Sequence, residues 1–183
     1  MDNRRDLTKR LIADGFKELV SHNSFDKISI MMITNAAEIR RPTFYNHFQD
    51  KYDLLEWIVA EEVIAPAAAR LRRGDRRGAL LTLFEKLTED AAFYRRAFLV
   101  TGQNGFEEAF IRRLRETFLS CLSAEDKARL PEPLTPEFYA HYNAVCLVSM
   151  VRGWIESGQT LSPKQLADAY YYLSDHSLWR EYE

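Results

Sequence analysis

Between Arg40 and Lys51 the chain reads RRPTFYNHFQDK, a run dense in groups that donate hydrogen bonds to anions and to the edges of bases. A guanidinium such as that of Arg41 can give two parallel hydrogen bonds to guanine O6 and N7, worth about 1–3 kcal/mol of discrimination between bases. Pro42 and the methyl of Thr43 suit a thymine methyl. Ser29, Thr43, Tyr45, His47 and Lys51 carry donors for phosphate oxygens, which seat a protein on a duplex without reading its sequence. Arg40 and Asn46 lie in the same run, and Arg4, Arg5, Lys9 and Arg10 could extend the contact along the backbone. Bond-making chemistry has no comparable footing. There is no paired His–carboxylate spacing, no Cys/His cluster and no glycine-rich phosphate loop, so no catalytic residue, metal or cofactor is expected.

These side chains need elements to hold them. Apolar residues at Leu7, Leu11, Ile12, Phe16, Leu19 and Val20 follow the helical period. His22-Asn23-Ser24 ends that helix, and Phe25 and Ile28 are expected to fold back onto it. Ser29 caps a short helix with Ile30, Ile33 and Ala37 inward. After a turn at Glu38-Ile39-Arg40, a second short helix starts at Arg41-Pro42 and runs to about Phe48, proline being tolerated in a first turn. Phe44 and Phe48, four apart, belong to the core, which leaves Arg40, Arg41, Pro42, Thr43, Tyr45, Asn46 and His47 facing outwards. Asp50 caps a further helix running towards the alanines near residue 67. Two helices too short to stand alone, closed on a first, make a three-helix head whose last helix fits the major groove.

The bulk numbers permit this without requiring it. A chain of 183 residues, 46% hydrophobic, can bury a substantial core. Residues 1–53 hold nine Lys/Arg against eight Asp/Glu and the rest sixteen against nineteen, so no whole-chain field draws the protein to DNA. Cys121 and Cys146 are too few for a disulfide scaffold, and the N-terminus lacks an apolar signal segment, which points to the cytoplasm. No apolar run is long enough to cross a membrane. A period-two pattern persists nowhere, so the fold is expected to be all-α.

The run TFYNHFQDKYDLL resembles the DNA-binding head of the TetR family of bacterial regulators, a likeness covering roughly residues 7–60. The resemblance implies Thr43, Tyr45, His47 and Lys51 as DNA contacts, with Ala37, Ile39, Phe44 and Phe48 as packing. Two positions depart from the family pattern. Glu38 replaces a turn glycine, where a positive φ would cost about 1 kcal/mol, and Arg40 replaces a serine cap and adds a second arginine at the groove end. Taken singly, an aromatic run is ordinary core and an Arg-Arg pair an ordinary solvated face. Helix lengths, turn spacing and motif agree here, which argues for DNA binding.

Past RRGDRRG (72–78) the pattern gives helices near 79–88, 91–101 and 106–122, a loop over 123–134, a long helix from Thr135-Pro136 to Gly158, and a last one from Ser162-Pro163 to about His176. The segment Phe138–Ile155 is apolar nearly all round, so its own body should cover one side and a second copy the other. Tyr142, Val145, Ser149, Trp154, Leu166, Tyr170 and Leu173, with Trp179 beyond them, are the expected homodimer contacts. Residues expected to line an effector pocket are Tyr94, Phe98, Gln103, Asn104, Phe118, Cys121, Tyr142 and Cys146. The segments YRRAFLVTGQNGFEEAFIRRL and MVRGWIESGQTLSPKQLADAYYYL resemble the C-terminal region of the TetR branch that includes dihydroxyacetone-kinase regulators, through Trp154-x-x-x-Gly158 followed by Ser162-Pro163. That branch implies a small or closed pocket.

The expected protein is thus an N-terminal helix-turn-helix head (residues 1–60) on a helical dimerising and sensing body (61–183), binding a palindromic operator as a homodimer under a small-molecule effector. Family habit implies a repressor. An activator, or a protein–protein adaptor with a degenerate head, are the alternatives.

Overall fold

The computed structural model describes residues 2–102 and 105–175, and among them every regular element is helical. Helix α1 (Asp2–His22) buries Ile12, Ala13, Phe16 and Val20, the spacing of one helical face. A 3₁₀ turn, Phe25–Lys27, brings Phe25 back until its ring is 6.1 Å from that of Phe16. Helix α2 (Ile30–Ala36) begins at Ser29, whose hydroxyl accepts the Met32 N–H at 3.2 Å. Helix α3 spans only Arg41–Tyr45; the expected continuation to Phe48 is instead a turn through Asn46 and His47.

Asp50 caps the next helix by accepting the N–H groups of Tyr52 and Asp53. From there the chain runs without a break through α4 (Lys51–Ile58), a π-helical segment (Val59–Ile64) and α5 (Ala65–Leu71). Pro66 accounts for the π segment: it has no N–H to return to the preceding turn, and the Ala65 N–H reaches Ala60 O instead. The resulting rod is about 30 Å long.

The rod is followed by α6 (Arg76–Glu89), α7 (Ala91–Ala97), α8 (Phe106–Cys121), the one-turn α9 (Ala124–Ala128), α10 (Pro136–Glu156) and α11 (Pro163–Asp175). Helix α7 stops short of the expected residue 101. Helix α10 ends at Glu156, two residues before the expected Gly158, which follows the cap with φ +80° while the Gln159 N–H closes on Trp154 O. Helices α8 and α10 pack together, and α6 lies between α5 and α11.

A single hydrophobic cluster runs from Ile12 and Phe44 in the head to Trp154 and Leu166 in the body. Phe16 of α1 meets Phe93 of α7 at 6.3 Å, edge to face. The expected boundary at residue 60 falls inside the π segment of the rod. Two dimer assignments need correction. Trp154 is buried against Phe84, with its indole N–H donating to Leu161 O, and Leu166 is also buried, because α6 covers this side of α10 and α11. Tyr170 is half-buried for the same reason. Phe138, Tyr142, Val145 and Ser149 of α10 and Leu173 of α11 are exposed. No described helix is long and apolar enough to cross a membrane.

Candidate nucleic-acid interface

The outward face of α3 is set by what its inward face buries. Phe44 is fully buried and Phe48 almost so; their rings lie 5.8 Å apart, and Phe48 meets Trp57 at 5.7 Å. Burying each such side chain is worth roughly 1.5–3 kcal/mol, so α3 has one favourable rotational setting. That setting leaves Arg40, Arg41, Pro42, Tyr45 and Asn46 exposed, with Thr43 and His47 half-buried at the edges.

The turn before α3 depends on Glu38, which adopts φ +53°. The Ile39 N–H then reaches back to Thr34 O at 2.9 Å and ends α2. Arg40 occupies the cap position of α3 and makes no side-chain cap bond, so its guanidinium is left for other partners. Gly15 of α1 lets this turn approach: a Cβ there would lie 3.1 Å from Ala37 N and 3.2 Å from the Ala36 carbonyl carbon.

Arg41 donates to the Tyr45 hydroxyl at 3.2 Å and lies 5.6 Å over its ring, which holds both groups on the open face. The Nδ1 of His47 is buried without a partner among the described residues. Burial, and then the positive charges of Arg5 and Lys9, push this imidazole below its ordinary pKa. The α1 arginine and lysine are therefore near neighbours of the α3 face. Lys9 sits 5.6 Å over Phe48 and 5.4 Å over Trp57, a clamp on the head as well as a charge at its surface.

Lys51 has a structural task that sequence reasoning did not find. Its ammonium donates to the carbonyls of Phe25 at 2.8 Å and Ile28 at 3.1 Å, and lies 4.5 Å over the Phe25 ring. It ties the start of this helix to the 3₁₀ turn and the residue after it, and nothing in the residues near Lys51 signals this, because the partners lie 23 and 26 positions earlier. Ser29, too, spends its acceptor on a helix cap, leaving its hydroxyl proton available.

A second concavity, of about 600 Å³, lies in the body between α5, α6, α8, α10 and α11. Of the expected effector residues, only Phe118 and Cys121 line it. Tyr94 and Phe98 do not: they are buried in an aromatic cluster, Tyr94 6.1 Å and Phe98 4.9 Å from Phe106. Tyr142 is exposed on the outer face of α10, where its interaction with the neighbouring Cys146 side chain raises its pKa. Gln103, Asn104 and Trp179 lie outside the described residues, as does the Arg4 side chain. Sequence reasoning missed the alanines at 67, 68 and 79, whose small side chains leave the cleft open, and Arg72 and Arg76 at its edge. Their signal was the RRGDRRG run, read only as a break.

The helix-turn-helix so described coincides with a family model for bacterial regulatory proteins of the tetR family, matched over residues 12–58. A second model, described as a transcriptional regulator C-terminal region of TetR type, covers residues 77–176. The chain belongs to the TetR family of transcriptional regulators. It is 29% identical over 157 residues, 85% of this chain and 83% of the other, to the transcriptional activator DhaS of the dhaKLM operon of Lactococcus lactis subsp. lactis (strain IL1403). A solved structure of a dihydroxyacetone kinase operon activator DhaS superposes with a TM-score of 0.64 at 28% identity, covering 91% of this chain and 93% of that one. The repressor FadR of Thermus thermophilus, solved with lauroyl-CoA, reaches a TM-score of 0.69 at 15% identity over 96% and 97% of the two chains, a likeness of fold.

Proposed function

We propose that this TetR-family regulator binds duplex DNA sequence-specifically through α3, with Arg41 and Arg40 reading base edges and Pro42 and Thr43 on thymine methyls. Tyr45, Asn46, His47, Ser29 and Lys51 supply backbone contacts. The observation that carries this reading is the open strip of arginine, tyrosine and asparagine on α3, fixed outward by Phe44 and Phe48. Lys51 reaches phosphate from a position already anchored on Phe25 O, so it places a fixed charge at the head's edge.

The protein works in the cytoplasm as a homodimer on a palindromic operator. One head offers too few contacts for operator-level affinity, and two must meet major-groove faces about 34–36 Å apart. The exposed apolar strip of Phe138, Tyr142 and Val145 on α10 supports a partner there. A small molecule in the body cleft modulates the dimer by binding one head-to-head spacing better than the other. Family habit favours a repressor, whereas the description of the DhaS relative favours an activator.

Titration of genomic fragments at two salt concentrations tests the DNA reading. A specific complex should weaken steeply with salt, with a log–log slope of about −0.9 for each phosphate neutralised. Arg41→Ala should erase the preference between fragments while leaving salt-sensitive binding. Retained preference would remove Arg41 from the readout, and no complex at low salt would refute the DNA reading. A promoter–reporter fusion in a deletion strain separates repressor from activator.

A further inference from the structure

The walls and the edge of the body cleft differ in chemistry. Ala67, Ala68, Ala79, Leu83, Phe118 and Leu147 form an interior with no charged group. Arginines gather at the end of the cleft nearest the α5–α6 turn, about 30 Å of helix away from the head. Five arginines lie at this turn, Arg70, Arg72, Arg73, Arg76 and Arg77. Arg70 is paired with Asp75 at 3.3 Å, and Arg77 is tightly bonded to Asp168. Arg72 is exposed and has no carboxylate partner among the described residues, and Arg76 has only Asp126 at 3.6 Å, beyond hydrogen-bonding distance. Arg73 is also exposed without a carboxylate partner among the described residues but does not line the cleft; of the two that do line it, Arg72 is unpaired and Arg76 only loosely paired.

We propose that the cleft takes an anionic amphiphile, with its apolar body against the alanine and leucine wall and its single anionic group between Arg72 and Arg76. This rests on the cleft being the effector site and adds the chemical class of the effector. Guanidiniums offer paired donors to a carboxylate or phosphate oxygen pair. Asp126 is the only carboxylate among the lining residues, so the mouth carries net positive charge and disfavours a cationic head. The wall is mainly aliphatic, and Asn143 and Ser174 at its side already donate to Tyr139 O and Tyr170 O, which favours a hydrocarbon or aryl body over a polar one.

The test is calorimetric titration of the full chain with octanoate, 1-octanol and octyltrimethylammonium, each below its micelle concentration. Octanoate should bind about tenfold tighter than octanol, a margin reduced by solvent at the cleft mouth, and the ammonium more weakly than either. In Arg72→Gln/Arg76→Gln, both surface changes, octanoate should fall to the level of octanol while octanol is unaffected. Ala67→Phe, which fills the apolar wall, should lower both; unchanged binding in a folded A67F protein would place the ligand elsewhere and overturn the proposal. If octanol matches octanoate in the unmodified protein, the anionic head is refuted and the cleft stands. If neither binds, the effector-site reading itself falls.

Discussion

Lys51 and Glu38 show how single residues of the head divide labour between fold and contact. The Lys51 ammonium bonds the Phe25 carbonyl, which also accepts the Ile28 N–H, and the carbonyl of Ile28 just past the 3₁₀ turn. A hydrogen bond from a charged group contributes roughly 1.5–3 kcal/mol when partly buried. Lys51→Met should therefore lower the unfolding free energy by about 1–3 kcal/mol in denaturant titration, besides weakening DNA binding at all sequences alike. Loss of DNA binding with unchanged stability would contradict the clamp. Glu38 holds φ +53° at a cost of about 1 kcal/mol for a residue with a Cβ. Glu38→Gly should raise the unfolding free energy in denaturant titration, by up to about 1 kcal/mol less the entropy that glycine adds to the unfolded chain. A fall in stability would mean that the Glu38 side chain makes a compensating contact.

At the scale of elements, the head is tied to the body by a charge cluster on α1. Lys17 donates to Glu62 in the π segment at 2.9 Å and to Asp90 between α6 and α7 at 3.0 Å. Burial alone would lower the Lys17 pKa; the hydrogen bonds and charges of the two carboxylates outweigh it and raise it above the ordinary 10.5. Burial also raises Glu62, and Lys17 only partly offsets this. A raised lysine contributes stability that is complete below 10.5 and is lost only as pH climbs past that value, so the clamp is fully formed at neutral pH. A raised carboxylate carries an ionisation cost at neutral pH, lifted as pH falls through its folded pKa. Lys17→Met, which strands two carboxylates, should cost about 1–3 kcal/mol after allowance for their exposure. Glu62→Gln should cost clearly less, because Asp90 still holds the ammonium. Equal losses in paired thermal melts would refute this asymmetry.

The whole molecule turns on which apolar surfaces the protomer covers itself. Helix α10 buries Ala144, Leu147, Val148 and Val151 and leaves Phe138 at 57% and Tyr142 at 59% exposure. Clustered exposed apolar side chains of this kind suit a covered face, in keeping with the proposed homodimer. Val145→Glu, on the same strip and already solvent-facing, should leave the helical circular dichroism intact and convert dimers to monomers in sedimentation at micromolar concentration. Operator affinity should fall with the dimer, since each head then binds alone. A monomeric unmodified protein would sink the homodimer reading, and a V145E protein that stays dimeric would move the interface to another face.

Much of this was legible in the order of residues. The 3.6-residue periodicity of α1, the Ser29 cap and the Phe44–Phe48 spacing are local properties, decided by neighbours within one or two helical turns; the positive φ at Glu38 was signalled only by the glycine that the family has there. The all-helical fold and the outward side of α3 follow from them. What residue order could not supply was which helix would cover which face. Trp154 and Leu166 read as partner-facing and are buried by α6; Tyr94 and Phe98 read as pocket-lining and are packed on Phe106. Lys51 read as a phosphate contact and also clamps a turn made 23 to 26 residues earlier. An apolar side chain carries no mark of which surface removes it from water, because the hydrophobic effect is non-directional. Only the packed helices assign each one to core, cleft or partner.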